Sequence, residues 1–292
     1  MTNDPLASNG QEPESVLVVS QPKRPSNIWL IIVASLFIIV PFLTWYLTWF
    51  GRGLSDQELA NYLSDQNNPR HMQHALLQVE AKIETNDPGA KQFYPQIIAA
   101  SKSSVPEVRK TAAWVMGQDN KSEEFHAGLA QLIKDEDPLV RRNAALQLVR
   151  FGDASGRPEL RAMLQPFEAK PPIAGTIVGL LPAGSAIHAG AMLARIRDAS
   201  NNLYEFRSPV DGKLTYPPLA KEGDQITTNQ TVARVAPDQA TVVDALHALA
   251  YVGTKDDLPL IEDAARNNNS GEISAQANQT LKAIRARTES GQ

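Results

Sequence analysis

At 292 residues, 42% of them hydrophobic, with a net charge of −4 and no cysteine, the chain is long enough for one large or two ordinary domains with a true core. The missing cysteine excludes a disulfide framework, cysteine-ligated zinc, iron–sulfur clusters and thiol catalysis. Lys and Arg are spread along the chain instead of forming a stripe, which argues against a nucleic-acid partner.

Residues 1–27 are rich in Pro, Ser, Asn, Gln and Glu. Such a composition buries too little apolar surface to offset chain entropy, so a disordered tail is expected there. From Ile28 to Phe50 no charged residue occurs, and a run of about 23 residues rising 1.5 Å each spans roughly 35 Å, which predicts one transmembrane helix over 28–50. Trp29 stands near one end and Trp45, Tyr46 and Trp49 near the other, at the level where amphipathic rings settle. Pro41 predicts a kink. A cleaved signal peptide fits less well, because the apolar run is too long and no small-residue cleavage site follows. Lys23 and Arg24 precede the helix and only Arg52 follows closely, so the N-terminus is expected in the cytoplasm and the body outside it.

After this segment, Ser55 and Glu58 have the spacing of a capping box and open a helical region over 51–170. One phrase recurs after 32 residues: Pro106-Glu-Val-Arg-Lys-Thr-Ala112 and Pro138-Leu-Val-Arg-Arg-Asn-Ala144. A period of about 20–50 residues marks a solenoid. Within the phrase, Pro starts the helix, Val and Ala face inward at i and i+4, and Arg109 or Arg141 falls on the more polar side. Gly117 and Gly152 follow as terminators tolerant of positive φ. Phe125, Leu129, Leu132 and Ile133 form the apolar stripe of the helix between.

The stretch Leu129-Ala-Gln-Leu-Ile-Lys-Asp-Glu-Asp-Pro-Leu-Val-Arg-Arg-Asn-Ala-Ala-Leu146 resembles the HEAT repeat family in its short bacterial form. The likeness covers about residues 55–166 and resumes over 238–287, where Val243–Gly253, Leu258–Ile261 and Ile273–Ile284 keep the same rhythm. Residues 288–292 read as a tail. The resemblance implies a bacterial α-solenoid, and with the charge bias it implies an inner (cytoplasmic) membrane protein whose bulk is periplasmic.

Between the helical blocks, over 171–237, the period becomes strand-like. A second internal repeat appears: Gly175-Thr-Ile-Val, Gly184-Ser-Ala-Ile187 and Gly190-Ala-Met-Leu193-Ala-Arg-Ile196 correspond to Gly212-Lys-Leu-Thr, Gly223-Asp-Gln-Ile226 and Asn229-Gln-Thr-Val232-Ala-Arg-Val235. Two such halves joined by a hairpin resemble the biotinyl/lipoyl domain, a flattened β barrel also found in membrane fusion proteins of export and efflux pumps. Carrier members present a lysine on the joining hairpin. Here that hairpin is Arg197 to Phe206 and has none, so no cofactor is expected.

Five histidines are available, and only His71 and His74 share a helix face. With no further ligand suggested nearby, no metal site is expected. Glu123-Glu124, Asp135–Asp137 and Asp256-Asp257 lie where carboxylates cap helices, so no catalytic pair is assigned. No phosphate loop, dinucleotide fingerprint or nucleophile elbow appears. Arg109, Arg141 and Arg142 recur on successive units and are the candidate partner-binding residues, with pairing inside the repeats as the alternative. The expectation is an α+β multidomain protein: one transmembrane helix, then a HEAT-like solenoid interrupted by a small lipoyl-like all-β barrel. Its expected role is non-catalytic: an adaptor that meets the lipid bilayer through one helix and a protein partner through its body, as an accessory of an export, efflux or envelope complex. The rival roles are a biotin- or lipoate-type carrier subunit and a ligand-binding sensor.

Overall fold

The computed structural model describes residues 28–49, 53–267 and 270–289. It divides into Met1–Gly53 and Leu54–Gln292. The tail expected over 1–27, the charges Lys23, Arg24 and Arg52, the end residue Phe50 and the last residues of the chain lie outside the described residues.

In the first unit, α1 (Ile28–Trp49) is a single apolar helix that continues through Pro41. The Thr44 hydroxyl donates to the Val40 carbonyl at 2.7 Å, so this polar group is satisfied within the helix. Among the described residues no helix is long and apolar enough to cross a membrane. In α1 the side chains described without a break end at Thr44, and those of Trp45 and Trp49, on which the aromatic flank rests, lie outside them.

The second unit is an array of helix pairs. Its helices are α2 (Asp56–Ser64), α3 (Pro69–Glu84), α4 (Tyr94–Ala100), α5 (Pro106–Met116), α6 (Glu123–Leu132), α7 (Pro138–Arg150), α8 (Arg157–Ala162), α9 (Gln239–Val252), α10 (Leu258–Arg266) and α11 (Gly271–Glu289). The Ser55 box forms as expected. Its hydroxyl accepts from the Glu58 N–H, and Glu58 accepts from the Ser55 N–H at 2.9 Å. Prolines open α3, α5 and α7, where a missing N–H costs nothing. Val108, Ala112, Val140 and Ala144 are fully buried, as their spacing predicts. One core runs from Leu59 to Leu148, and a second joins Ala145, Leu160 and Met163 to α9, α10 and α11.

Gly152 ends α7 with φ 71°, but Gly117 ends α5 at φ −66°. Glycine at 117 answers a different need, which is room for a side chain of the next repeat. A Cβ there would stand 2.0 Å from the Gln147 side-chain oxygen of the next repeat.

Eight short strands lie between α8 and α9: β1 (Phe167–Ala169), β2 (Gly175–Leu180), β3 (Ala186–Ile187), β4 (Met192–Arg197), β5 (Leu203–Arg207), β6 (Gly212–Leu214), β7 (Gln225–Ile226) and β8 (Ala233–Ala236). They form two four-stranded antiparallel sheets in the orders β1-β8-β6-β3 and β5-β4-β2-β7. Each sheet mixes strands of both sequence halves, since β2 pairs with β7 and β3 with β6. Ile177, Leu193, Ile196, Val232 and Val235 fill the space between.

The internal repeat is visible in backbone detail. Gly175 and Gly212, equivalent in the two halves, each pass so close to a neighbouring strand that a Cβ would sit 2.3 Å from the Arg197 carbonyl oxygen or 2.1 Å from that of Ala236. Gly212→Ala also strains φ at 149°. It is expected to loosen this module by about 2 kcal/mol or more while the helices hold, read as faster amide exchange confined to 167–236.

The module begins earlier than the expected boundary at 171, because β1 pairs with β8 in the register Phe167↔Val235 to Ala169↔Ala233. Three strand residues between Pro166 and the Pro171-Pro172 pair are too few to show a period. This pairing brings the two ends of the insertion together, and α8 and α9 pack as one helix pair although the module separates them. A polar clamp seals the junction. Asp257, fully buried, takes Arg161 and Arg157 from the far side of the insertion, and Arg157 also donates to the Thr254 hydroxyl at 2.9 Å.

Candidate functional site

Arg109 lies inside the array, not on its surface. Its side chain is 9% exposed and makes a bidentate pair with Asp135, both N···O distances being 2.7 Å, while its Nη1 donates to the Ser103 carbonyl at 2.9 Å. The bond to Asp135 raises the Arg109 pKa, and burial opposes it. For Asp135, burial pushes the carboxyl up, but the bonds from Arg109 and the Asp137 N–H outweigh it and hold the group below the ordinary carboxylate range.

Arg141 repeats the motif one unit later. It donates to the Asp135 carbonyl at 2.8 Å and to Glu159 at 3.1 Å. Arg142 is buried with its Nε lacking an acceptor among the described residues. Glu159 stands 3.8 Å away, and burial lowers the Arg142 pKa against that attraction. Arg109 and Arg142 therefore offer no partner surface, and Arg141 is largely spent on its own repeat. Their recurrence arises because each repeat needs a cation to tie its turn and the next unit.

The other polar candidates are also used within the fold. His71 pairs with Asp65 at 2.9 Å and stacks on Tyr62, and His74 bonds Gln78. Among the described residues, no group of three or more His, Cys, Asp or Glu residues is placed to hold a metal. Asp137 caps α7 through the N–H groups of Leu139 and Val140.

A different set of residues lies free on the array. Helices α3, α5, α7 and α9 pack in succession. Eight residues beyond the first position of each stand Leu77, Trp114, Leu146 and His247, and one turn further along α9 comes Tyr251. Equivalent positions on parallel repeats share a face, so these side chains form a ladder across the array. Leu77 is 51%, Trp114 42% and Tyr251 63% exposed. The Trp114 indole N–H donates to Glu80 of the preceding repeat, which fixes the ring. Trp114, Leu146, Val149, Ala248 and Tyr251 line an open groove of about 560 Å³, with Arg150, Asp244 and His247 at its polar margins. Leu77 and Trp114 at repeat-equivalent sites and Tyr251 one turn beyond the next leave large apolar side chains in water on one face, the surface expected of a binding face.

The sequence reading missed this ladder. Its signal was the constant offset from the helix-opening prolines Pro69, Pro106 and Pro138.

The family model for HEAT repeats matches residues 94–168, the stretch from α4 to the first strand. This part of the chain is similar to that family and is helical and solenoid-like. Compared with curated proteins, the chain finds no match.

Proposed function

We propose that the protein is a membrane-anchored, non-catalytic adaptor whose helical array binds a protein partner on the ladder face. The observation that carries this reading is the ladder itself: exposed Leu77, Trp114 and Tyr251, aligned over successive repeats. HEAT repeats are protein-interaction modules in general, which agrees with it. The support for an anchor lies in the sequence, where no charged residue occurs from Ile28 to Phe50. Lys23 and Arg24 before that stretch, against Arg52 alone after it, support an array outside the cytoplasm by the positive-inside rule.

The β module is read as a lipoyl-like barrel in a structural role. Its paired halves support the likeness, and the β4–β5 hairpin turns through Asp198 and Asn201 with no lysine to carry a cofactor. By this likeness the protein serves as an accessory of an export, efflux or other envelope complex.

Protease added to intact spheroplasts is expected to digest the array, and chemical crosslinking in the native membrane to join the chain to a second polypeptide. Protection of the array would reverse the orientation. Recovery of the chain alone would remove the adaptor role.

A further inference from the structure

We infer that the ladder's occupant is an amphipathic α-helix of the partner, laid across α3, α5, α7 and α9 with an apolar residue at every seventh position. This deepens the adaptor reading and rests on it. The argument is one of spacing. Packed helices lie about 8–10 Å apart, so exposed Leu77, Trp114 and Tyr251, with half-buried Leu146 between Trp114 and Tyr251, present rungs at about that interval. Seven residues of helix rise about 10.5 Å and return to nearly the same face. An extended segment meets the same interval every third residue, at about 3.3 Å each, and alternate rungs would then face away from the array.

The margins favour a helix of defined polarity. Arg150 and Asp244 enter none of the ion pairs found among the described residues. They sit on neighbouring helices at offsets from the helix start that differ by about two turns. Desolvation lifts the Asp244 carboxyl above its ordinary range, with His247 opposing, and a cation brought by the partner relieves that cost. The partner helix therefore carries a basic residue near Asp244 and an acidic one near Arg150, flanking its apolar stripe. Trp114, at the centre of the row and fixed by Glu80, is the anchor.

The test uses the full chain in its native membrane, with a photo-crosslinking amino acid placed at Leu77 or at Tyr251 and the adducts mapped by mass spectrometry. From Leu77 on α3 to Tyr251 on α9 there are three helix-to-helix steps, about 24–30 Å. The two adducts are expected on one partner segment, about 16–21 residues apart, with apolar residues at seven-residue intervals between them. Trp114→Ala is expected to cut the yield of both adducts at least tenfold, and Trp114→Phe less. The thermal transition of Trp114→Phe should lie close to the parent's, and that of Trp114→Ala should stay above the crosslinking temperature, so that lost adducts report the contact and not unfolding.

Adducts about 7–9 residues apart, on two different proteins, on lipid, or insensitive to Trp114→Ala would each overturn the inference and leave the adaptor reading standing. Absence of any adduct, together with recovery of the chain alone by general crosslinking, would overturn both.

Discussion

Arg109→Ala is expected to lower the urea midpoint of the full chain by about 1.5–2.5 M at neutral pH. The guanidinium and the Asp135 carboxylate are each more than nine-tenths buried, and removing one partner leaves the other charged and unpaired. Breaking such a pair costs about 3–5 kcal/mol, and a slope of ~2 kcal/mol per M converts that to the midpoint shift. A double change, Arg109→Met with Asp135→Leu, should recover most of the loss, because a buried pair exchanged for apolar groups of similar size is often neutral.

The pH dependence gives a second signature. In the parent, Asp135 is held below its ordinary range. Its contribution is therefore fully present above the unfolded-state carboxylate pKa, near 4, and drains away as pH falls through the lower folded value. In Arg109→Ala the opposing bond is gone and burial dominates, which raises the folded pKa. The sign reverses: the variant's deficit should shrink as pH falls toward 4. A deficit that is constant with pH would show that Arg109 acts by packing alone.

Asp257→Ala tests the junction across the β module. The carboxylate is fully buried and takes Arg157 and Arg161, and it also accepts from the Thr254 N–H at 2.7 Å to close a capping box. The two arginines are about one-third exposed and regain water when the carboxylate goes, so the cost should be about 2–3 kcal/mol, below that of Arg109→Ala. Its location is the sharper expectation. Amide exchange should quicken in α9, α10 and α11, which share one core, and stay unchanged in α2 to α6, which belong to the other. Uniform quickening would mean that the array behaves as one cooperative block and that the junction is not a boundary of stability.

Much of this architecture is written locally. Pro106 and Pro138 open helices because a proline at that position gives up an N–H that has no partner anyway, and the Val and Ala that follow reach the core at helical spacing. The β repeat was equally plain, because Gly175 and Gly212 answer close approaches that no side chain survives. What escaped was contact over distance. Arg109 and Arg141 look like surface cations in a polar stretch, yet each reaches back to a carbonyl six residues earlier and forward to a carboxylate of the next unit. Gly117 looked like a helix terminator, and its reason is Gln147, thirty residues on. The ladder escaped for the same cause: Leu77, Trp114 and Tyr251 are ordinary helix residues until the repeats are aligned.

The pairing of β1 with β8 bears on the order in which the chain assembles. Arg161 and Asp257 meet across 96 positions of sequence, and closing so long a loop is slow because its ends must find each other by diffusion. Once the β module has formed, the loop is reduced to a neck one strand pair wide, about 5 Å. The entropic gain is small, since each doubling of loop length is worth only about 0.6 kcal/mol, so the benefit is kinetic more than thermodynamic. The inserted strands thereby hold α9 within reach of α8.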